Sequence, residues 1–293
     1  MEIRVLGALE VRVCGQSVVP SAPKPRQVLA LLALRADQVV PARALADELW
    51  SGRLPRSART TVQTYVLQLR DLIDRALERS CDTPAGLGAK DVLTTLPGGY
   101  RLNSDGGRVD LREFDRLAGT GYRAMDGGDF PLAARQLAEA LGHWRGPAFA
   151  DVPLGGQLGV EAKRLEETRL CALDQRIEAD LRLGRHRVLL AELTVLVDRY
   201  RTHESLHGQY MIALHRSGRR GEALEAYQRL RNTLVRELGM EPSAGLRRLQ
   251  RSILLAGPDR ADQERPAAVD TPVAPVPSPD PAPVRGTRLT RVG

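Results

Sequence analysis

Arg59-Thr60-Thr61-Val62-Gln63-Thr64-Tyr65-Val66-Leu67-Gln68-Leu69-Arg70 is the stretch that decides how this chain reads. Val62, Val66, Leu69, Ile73 and Leu77 recur every three or four residues, so one apolar stripe runs along a helix predicted over residues 57–77. The side opposite the stripe carries Thr60, Gln63, Thr64 and Gln68. No acidic residue lies between Glu48 and Asp71, whereas Arg53, Arg56, Arg59 and Arg70 do. Such a helix can pack one face on a protein body and present amides and hydroxyls to base edges in a major groove. Gln suits adenine and Thr can offer its methyl to thymine. The flanking arginines would neutralise phosphates and set the register. A solvated polar face is the plain alternative, and the complete lack of acids beside those polar groups favours nucleic acid.

Working outward, residues 2–13 read as two short strands. Ile3, Val5, Leu9, Val11 and Val13 alternate with polar neighbours, and Gly7-Ala8 breaks the run. Residues 20–25 read as a loop. Helical periodicity follows over residues 26–36, is interrupted at Val39-Val40-Pro41, and resumes over Ala42–Trp50 with Leu45, Leu49 and Trp50 inward. After the central helix, residues 80–89 read as a loop. Val92-Leu93-Thr94-Thr95-Leu96 and Tyr100-Arg101-Leu102 then form a hairpin pattern around Pro97-Gly98-Gly99. Strands, three helices and a Gly-tipped hairpin make a winged helix-turn-helix.

The remaining sequence sets the wider frame. The 293 residues suit two domains, and 42% hydrophobic with only 4% aromatic residues favours helical cores built from Leu, Val and Ala. The net charge of +7 is compatible with nucleic acid, although arginine supplies 40 of the 43 basic residues, the mark of a GC-rich genome. Cys14, Cys81 and Cys171 are scattered, which argues against a disulfide framework or a zinc module and fits a reducing cytosol. No signal peptide is visible, and no uncharged apolar run is long enough to span a membrane. From Val109 to Gly257 the pattern reads as helical throughout, broken by short Gly turns such as Asp126-Gly127-Gly128. Leu183-Gly184-Arg185 and Ser217-Gly218-Arg219 stand 34 residues apart, the tetratricopeptide period. Residues 258–293 hold eight of the 19 prolines and read as a disordered tail.

Four segments resemble the OmpR-type winged-helix domain: residues 26–34, Ala44-Leu45-Ala46-Asp47-Glu48-Leu49-Trp50, residues 61–70, and Pro97-Gly98-Gly99-Tyr100-Arg101-Leu102. Four more carry the resemblance onward: Val109-Asp110-Leu111-Arg112-Glu113-Phe114, Ala140-Leu141-Gly142-His143-Trp144-Arg145-Gly146, residues 215–224, and Glu237-Leu238-Gly239-Met240-Glu241-Pro242-Ser243. Together they resemble the Streptomyces antibiotic regulatory protein family. The resemblance implies a mainly α fold with a small β component, an OmpR-like winged helix over residues 1–104 and an all-α, TPR-like bacterial transcriptional activation domain over residues 105–257. It also implies double-stranded promoter DNA with direct repeats near a −35 element, two protomers head to tail, and contact with RNA polymerase holoenzyme including its sigma factor. Family members switch on antibiotic or other secondary-metabolite gene clusters from the cytoplasm, on the nucleoid.

By the same analogy Gln63, Thr64, Leu67 and Gln68 face bases. Arg56, Arg59, Thr60, Thr61 and Arg70 face the DNA backbone. OmpR-like wings often carry an arginine just before the turn, where this chain has Leu96, so minor-groove reading is in doubt and Thr94 and Arg101 are expected at phosphates. Lys24 and Arg26, at the start of the first helix, read either as phosphate contacts helped by the helix N-terminus or as ordinary solvated charges.

Two motifs point elsewhere. His203-Glu204-Ser205-Leu206-His207 matches HExxH, the zinc-protease signature, but Leu206 and Tyr210 place it at the start of a repeat helix. Gly119-Thr120-Gly121-Tyr122 mimics part of a dinucleotide fingerprint without the strand that must precede it. No P-loop and no receiver domain occur. No enzyme activity, cofactor or metal is expected. The rival reading is a TPR-like interaction scaffold with a vestigial or non-specific winged helix.

Overall fold

A computed structural model of the chain describes residues 1–50, 52–79 and 86–256. The two expected N-terminal strands are β1 (Glu2–Arg4) and β2 (Glu10–Val13), with Ile3, Val11 and Val13 buried. A tight turn at Cys14-Gly15, both at positive φ, leads into β3 (Gln16–Ser17).

Helix α1 (Pro23–Leu34) starts three residues earlier than expected. Pro23 and Pro25 signalled a loop, but N–H groups in a first turn have no intrahelical partner, so proline costs nothing there. Helix α2 (Ala42–Trp50) matches the sequence reading, and α3 (Ala58–Glu78) matches it to within a residue. Val62, Val66, Leu69, Ile73 and Leu77 are all buried, as the periodicity requires.

The apparent interruption at Val39-Val40-Pro41 is a strand, β4 (Val40–Pro41). It pairs with the hairpin β5 (Leu93–Leu96) and β6 (Gly99–Leu102) in the order β4-β6-β5. Gly99 permits this approach, since a Cβ there would lie 2.3 Å from the Val40 carbonyl oxygen. Pro97 followed by Gly98 at φ +83° is a type II turn signature at the wing tip. The expected 80–89 loop ends in a one-turn helix, α4 (Ala89–Val92), while residues 80–85 lie outside the described residues.

Strand β7 (Arg108–Val109) returns to pair parallel with β1, completing a sheet of order β3-β2-β1-β7. The helices that follow are α5 (Asp110–Asp126), α6 (Phe130–Leu141), α7 (Gly156–Arg182), α8 (His186–Arg199), α9 (Glu204–Arg216), α10 (Arg220–Leu238) and α11 (Ala244–Leu255). The two turns read as equivalent are so. Gly184 and Gly218 both sit at positive φ, +76° and +81°, and each is followed two residues later by the next helix.

The reading of continuous helix after residue 109 needs one correction, because residues 142–155 contain none. Trp144, Ala148, Phe149 and Val152 have helical spacing and are buried, but Pro147 and Pro153 break the pattern. The segment docks on the β1–β2 connection instead. Arg145, Phe149 and Ala150 amides donate to the carbonyls of Leu6, Val5 and Gly7 at 2.8, 3.1 and 3.0 Å.

One buried cluster runs from Ile3 to Ala172, joining the N-terminal sheet and α1–α3 to α5–α7. A second runs from Ile177 to Ile253 through the later helices. The boundary expected at residue 104 therefore falls inside a shared core, and Met1–Leu254 form one compact unit. The expected tail, 258–293, lies outside the described residues.

Candidate nucleic-acid interface

Burial of the apolar stripe on α3 turns Thr60, Gln63, Thr64, Leu67 and Gln68 outward together, and all five are exposed. Leu67 leaves 58% of its surface in solvent. An apolar side chain among four polar ones adds nothing to the fold and suits a thymine methyl. The amides of Gln63 and Gln68 make no hydrogen bond among the described residues, so their donors and acceptors are open. The Thr64 hydroxyl donates to the Thr60 carbonyl at 3.0 Å, leaving it lone pairs and a methyl group to offer outward. Thr61 is half-buried and donates to Ser57 in the same way, at 3.0 Å.

The first turn of α3 contains no acid, and Arg53, Arg56 and Arg59 are exposed in and just before it. Helix dipole and side chains thus carry one sign.

Arg70 is committed within the protein. Its Nε and Nη2 donate to the Leu93 carbonyl at 3.0 and 2.7 Å, and Nη2 also reaches Thr95 Oγ1 at 2.8 Å. The guanidinium clamps the wing strand to the helix. Thr94 and Arg101 face each other across the wing. Thr94 Oγ1 donates to the Asp91 carbonyl at 3.3 Å and accepts from Asn103 Nδ2 at 3.0 Å.

Lys24 and Arg26 lie on α1. The exposed Lys24 ammonium is 5.1 Å from the centroid of the Trp50 ring. Arg26 matches neither of the two roles weighed for it. Its Nε donates to Pro20 O at 3.0 Å and its Nη1 to Asp151 Oδ2 at 3.0 Å, so its charge is paired with the 142–155 connector.

Sequence reasoning missed the polar junction to which Arg26 belongs. Glu48, on α2, is 2% exposed and caps α7 from outside that helix. Its Oε1 accepts from Gly155 N at 2.6 Å, and its Oε2 from Gln157 N at 2.7 Å and Leu158 N at 3.1 Å. Asp110 accepts from the amides of Val5 and Leu6, both at 2.9 Å, and from Leu111 at 2.8 Å. Burial pushes its carboxyl above the ordinary aspartate value, against those three donors and nearby Arg145. Asp37 shows the opposite balance. Burial raises its pKa, but the Ser104 hydroxyl and amide and the Arg112 guanidinium more than offset that and hold it below the ordinary value. The available signal was Glu48 itself, a charge beside Leu45 and Leu49 on the inner face of α2, which requires a partner.

The distracting motifs resolve into structure. His203 is the N-cap of α9, its Nδ1 accepting from Leu206 N at 3.4 Å. Glu204 accepts from Ser243 N at 2.8 Å, and His207 is buried. Among the described residues no three His, Cys, Asp or Glu side chains are grouped to hold a metal. Gly121 lies inside α5, where a Cβ would stand 2.5 Å from Leu137 Cγ, so it serves close packing of α5 on α6. No helix among the described residues is long and apolar enough to cross a membrane.

Comparison with known proteins agrees with this layout. The family described as transcriptional regulatory protein, C terminal, matches residues 15–88, and the bacterial transcriptional activator domain matches residues 109–254. Regulatory protein DnrI of Streptomyces peucetius is 52% identical over 276 residues, 94% of this chain and 100% of DnrI. Transcriptional regulatory protein MoaR1 of Mycobacterium tuberculosis is 35% identical over 87% of this chain and 79% of its own length. The solved structure of Mycobacterium tuberculosis EmbR in complex with a low affinity phosphopeptide superposes with a TM-score of 0.77 at 33% identity. It covers 89% of this chain and 67% of the EmbR chain.

Proposed function

Because the chain belongs to the Streptomyces antibiotic regulatory protein family of DNA-binding transcriptional activators, we propose that residues 1–104 read promoter direct repeats near a −35 element and that residues 105–257 contact RNA polymerase holoenzyme, sigma factor included, and a second protomer head to tail. The expected outcome is activation of a secondary-metabolite gene cluster. The reading is carried by the face of α3, where Gln63, Thr64, Leu67 and Gln68 are exposed together beside an acid-free, arginine-flanked helix start.

In this mechanism α3 enters the major groove. Gln63 and Gln68 pair with base edges, Leu67 and the Thr64 methyl meet thymine methyls, and Arg56, Arg59, Thr60 and Thr61 hold the sugar–phosphate rails. Arg70 acts mainly by fixing the wing, so that Thr94 and Arg101 meet the backbone at a set distance from α3. Lys24 stays in the phosphate set. Arg26 moves from that set to the junction with Asp151. The junction makes the reader and the helical repeats one body, so DNA binding places the repeats in a fixed orientation for polymerase. Each 1.4 kcal/mol of added contact is about tenfold in occupancy, so a small recruiting surface suffices.

The test is titration of the full chain with a direct-repeat duplex from the promoters beside its gene and with a random duplex, over a range of salt. Gln68→Ala should cost about 1–3 kcal/mol on the specific duplex only. Arg59→Ala should weaken both duplexes and lower the salt slope by about 1. If the parent binds both duplexes alike and neither variant changes that, the scaffold reading replaces this one.

A further inference from the structure

Helices α6, α7 and α8 enclose an open groove of about 710 Å³, remote in sequence from the α3 face and unused by the mechanism above. Its floor is apolar and incompletely covered: Leu141, Leu170, Leu173, Leu196 and Tyr200 are each half-buried, and Ala138 is exposed. Five arginines line it against two acids, Asp180 and Glu192. Those two acids are already neutralised. Arg176 bridges Asp180 at 3.3 Å and also pairs with Glu192, while Arg185 reaches Asp180 at 2.8 Å.

The remaining three cations come one from each helix. Arg135, on α6, and Arg199, on α8, have no ion-pair partner among the described residues. Arg169, on α7, lies 4.8 Å from the Trp144 ring centroid and pairs with Glu166 at 3.6 Å, so its position is set before anything binds and the unpaired charge is that of Arg135 and Arg199. An apolar trough with unpaired positive charge on α6 and α8, one on each side of the α7 floor, calls for an occupant of matching form. It needs a continuous apolar face and several carboxylates spaced along its length. A single small anion would use one or two of the arginines and leave the floor wet.

We propose that this groove takes an acidic amphipathic helix of a partner protein, with its apolar side chains on the Leu170–Leu173–Leu196 floor and its Asp and Glu side chains on Arg135 and Arg199. Helix-in-groove recognition of this kind reads apolar anchors at i, i+3, i+4 and i+7 with charges alongside. The site is independent of the DNA-reading assignment.

The experiment is fluorescence anisotropy of the full chain with a labelled helical peptide of about 18 residues, leucines on one face and glutamates on its flanks. The counterpart peptide has every Glu replaced by Lys. The acidic peptide should bind and the basic one should not. Arg135→Glu/Arg199→Glu, both at exposed positions, should weaken the acidic peptide about tenfold or more while the variant's circular dichroism spectrum stays that of the parent. Arg247→Glu, on α11 outside the groove, should not, and the double variant should still bind promoter duplex like the parent. Ala138→Trp, which fills the floor, should also weaken peptide binding. Equal binding of both peptides, no binding of the acidic one, unchanged binding by the double variant, or displacement of the peptide by millimolar succinate as the better ligand would each overturn the proposal.

Discussion

Glu48→Gln removes one charge at the point where the winged helix holds the repeats, and its cost follows from the hydrogen-bond pattern. Oε1 accepts from Gly155 N and Gln27 Nε2 at 2.6 and 3.1 Å, and Oε2 accepts from Gln157 N and Leu158 N at 2.7 and 3.1 Å. Glutamine keeps one oxygen and sets an NH₂ group against the two donors facing the other. Turned one way, the Gly155 N–H loses its acceptor while Gln27 Nε2 keeps the Glu48 backbone carbonyl at 3.1 Å; turned the other, the Gln157 and Leu158 N–H groups both lose theirs, so at least one buried N–H is left unpaired. A buried donor left unpaired costs about 1–3 kcal/mol. Loss of a carboxylate at a helix N-terminus adds about 0.3–1 kcal/mol, more when partly buried. Neighbours cannot relax freely, since a Cβ on Gly155 would already lie 2.1 Å from the Glu48 carbonyl oxygen. The expected loss is about 3 kcal/mol, a large part of a typical total of about 5–15. At about 2–4 °C per kcal/mol for a chain of this size, the melting temperature should fall by about 6–12 °C. Thermal unfolding followed by circular dichroism reads this directly. Glu139→Gln, an exposed position on α6, is the control and should stay within about 0.5 kcal/mol of the parent. If Glu48→Gln melts with the control, the carboxylate does not anchor α7 and the coupling argument fails.

Burial, with His203 and Arg229 nearby, holds the His207 imidazole down to about 4 against an ordinary 6.5. The unfolded chain therefore takes up the proton first. This contribution is intact above about pH 6.5 and is lost as pH falls toward 4, on the order of 3 kcal/mol. His207→Leu should flatten that part of the urea-unfolding profile, and a parallel profile would count against it. Arg70→Ala should weaken specific and random duplexes to similar extents and loosen the wing. Arg70→Lys should not restore either property, because an ammonium cannot span Leu93 O and Thr95 Oγ1 as the fork does; a full rescue by Lys in the same titration would show that charge alone matters. Gly99→Ala should destabilise the fold by about 2 kcal/mol or more through the clash with Val40, and a melting temperature equal to the parent's would show that β4 is not held against the hairpin.

Local periodicity was enough to read α2, α3, the hairpin and the paired Gly184 and Gly218 turns, and with them which α3 side chains face out. Each depends on residues a few positions apart in the chain. Strands β4 and β7 were hidden because two residues carry no period, and the 142–155 connector because its buried residues imitate helical spacing. The commitments of Arg26 and Arg70 were equally invisible. A long arginine side chain can meet phosphate or fold back on a carbonyl, and only the position of Asp151 or Leu93 in space decides between them. The same holds for Glu48 and Asp110, whose partners stand more than 100 residues away along the chain. What the sequence by itself determined is the kind of element and the face it buries, since those follow from spacing along one helix or strand. What only the tertiary structure decided is which buried charges meet which distant backbone amides, because that follows from how the elements pack.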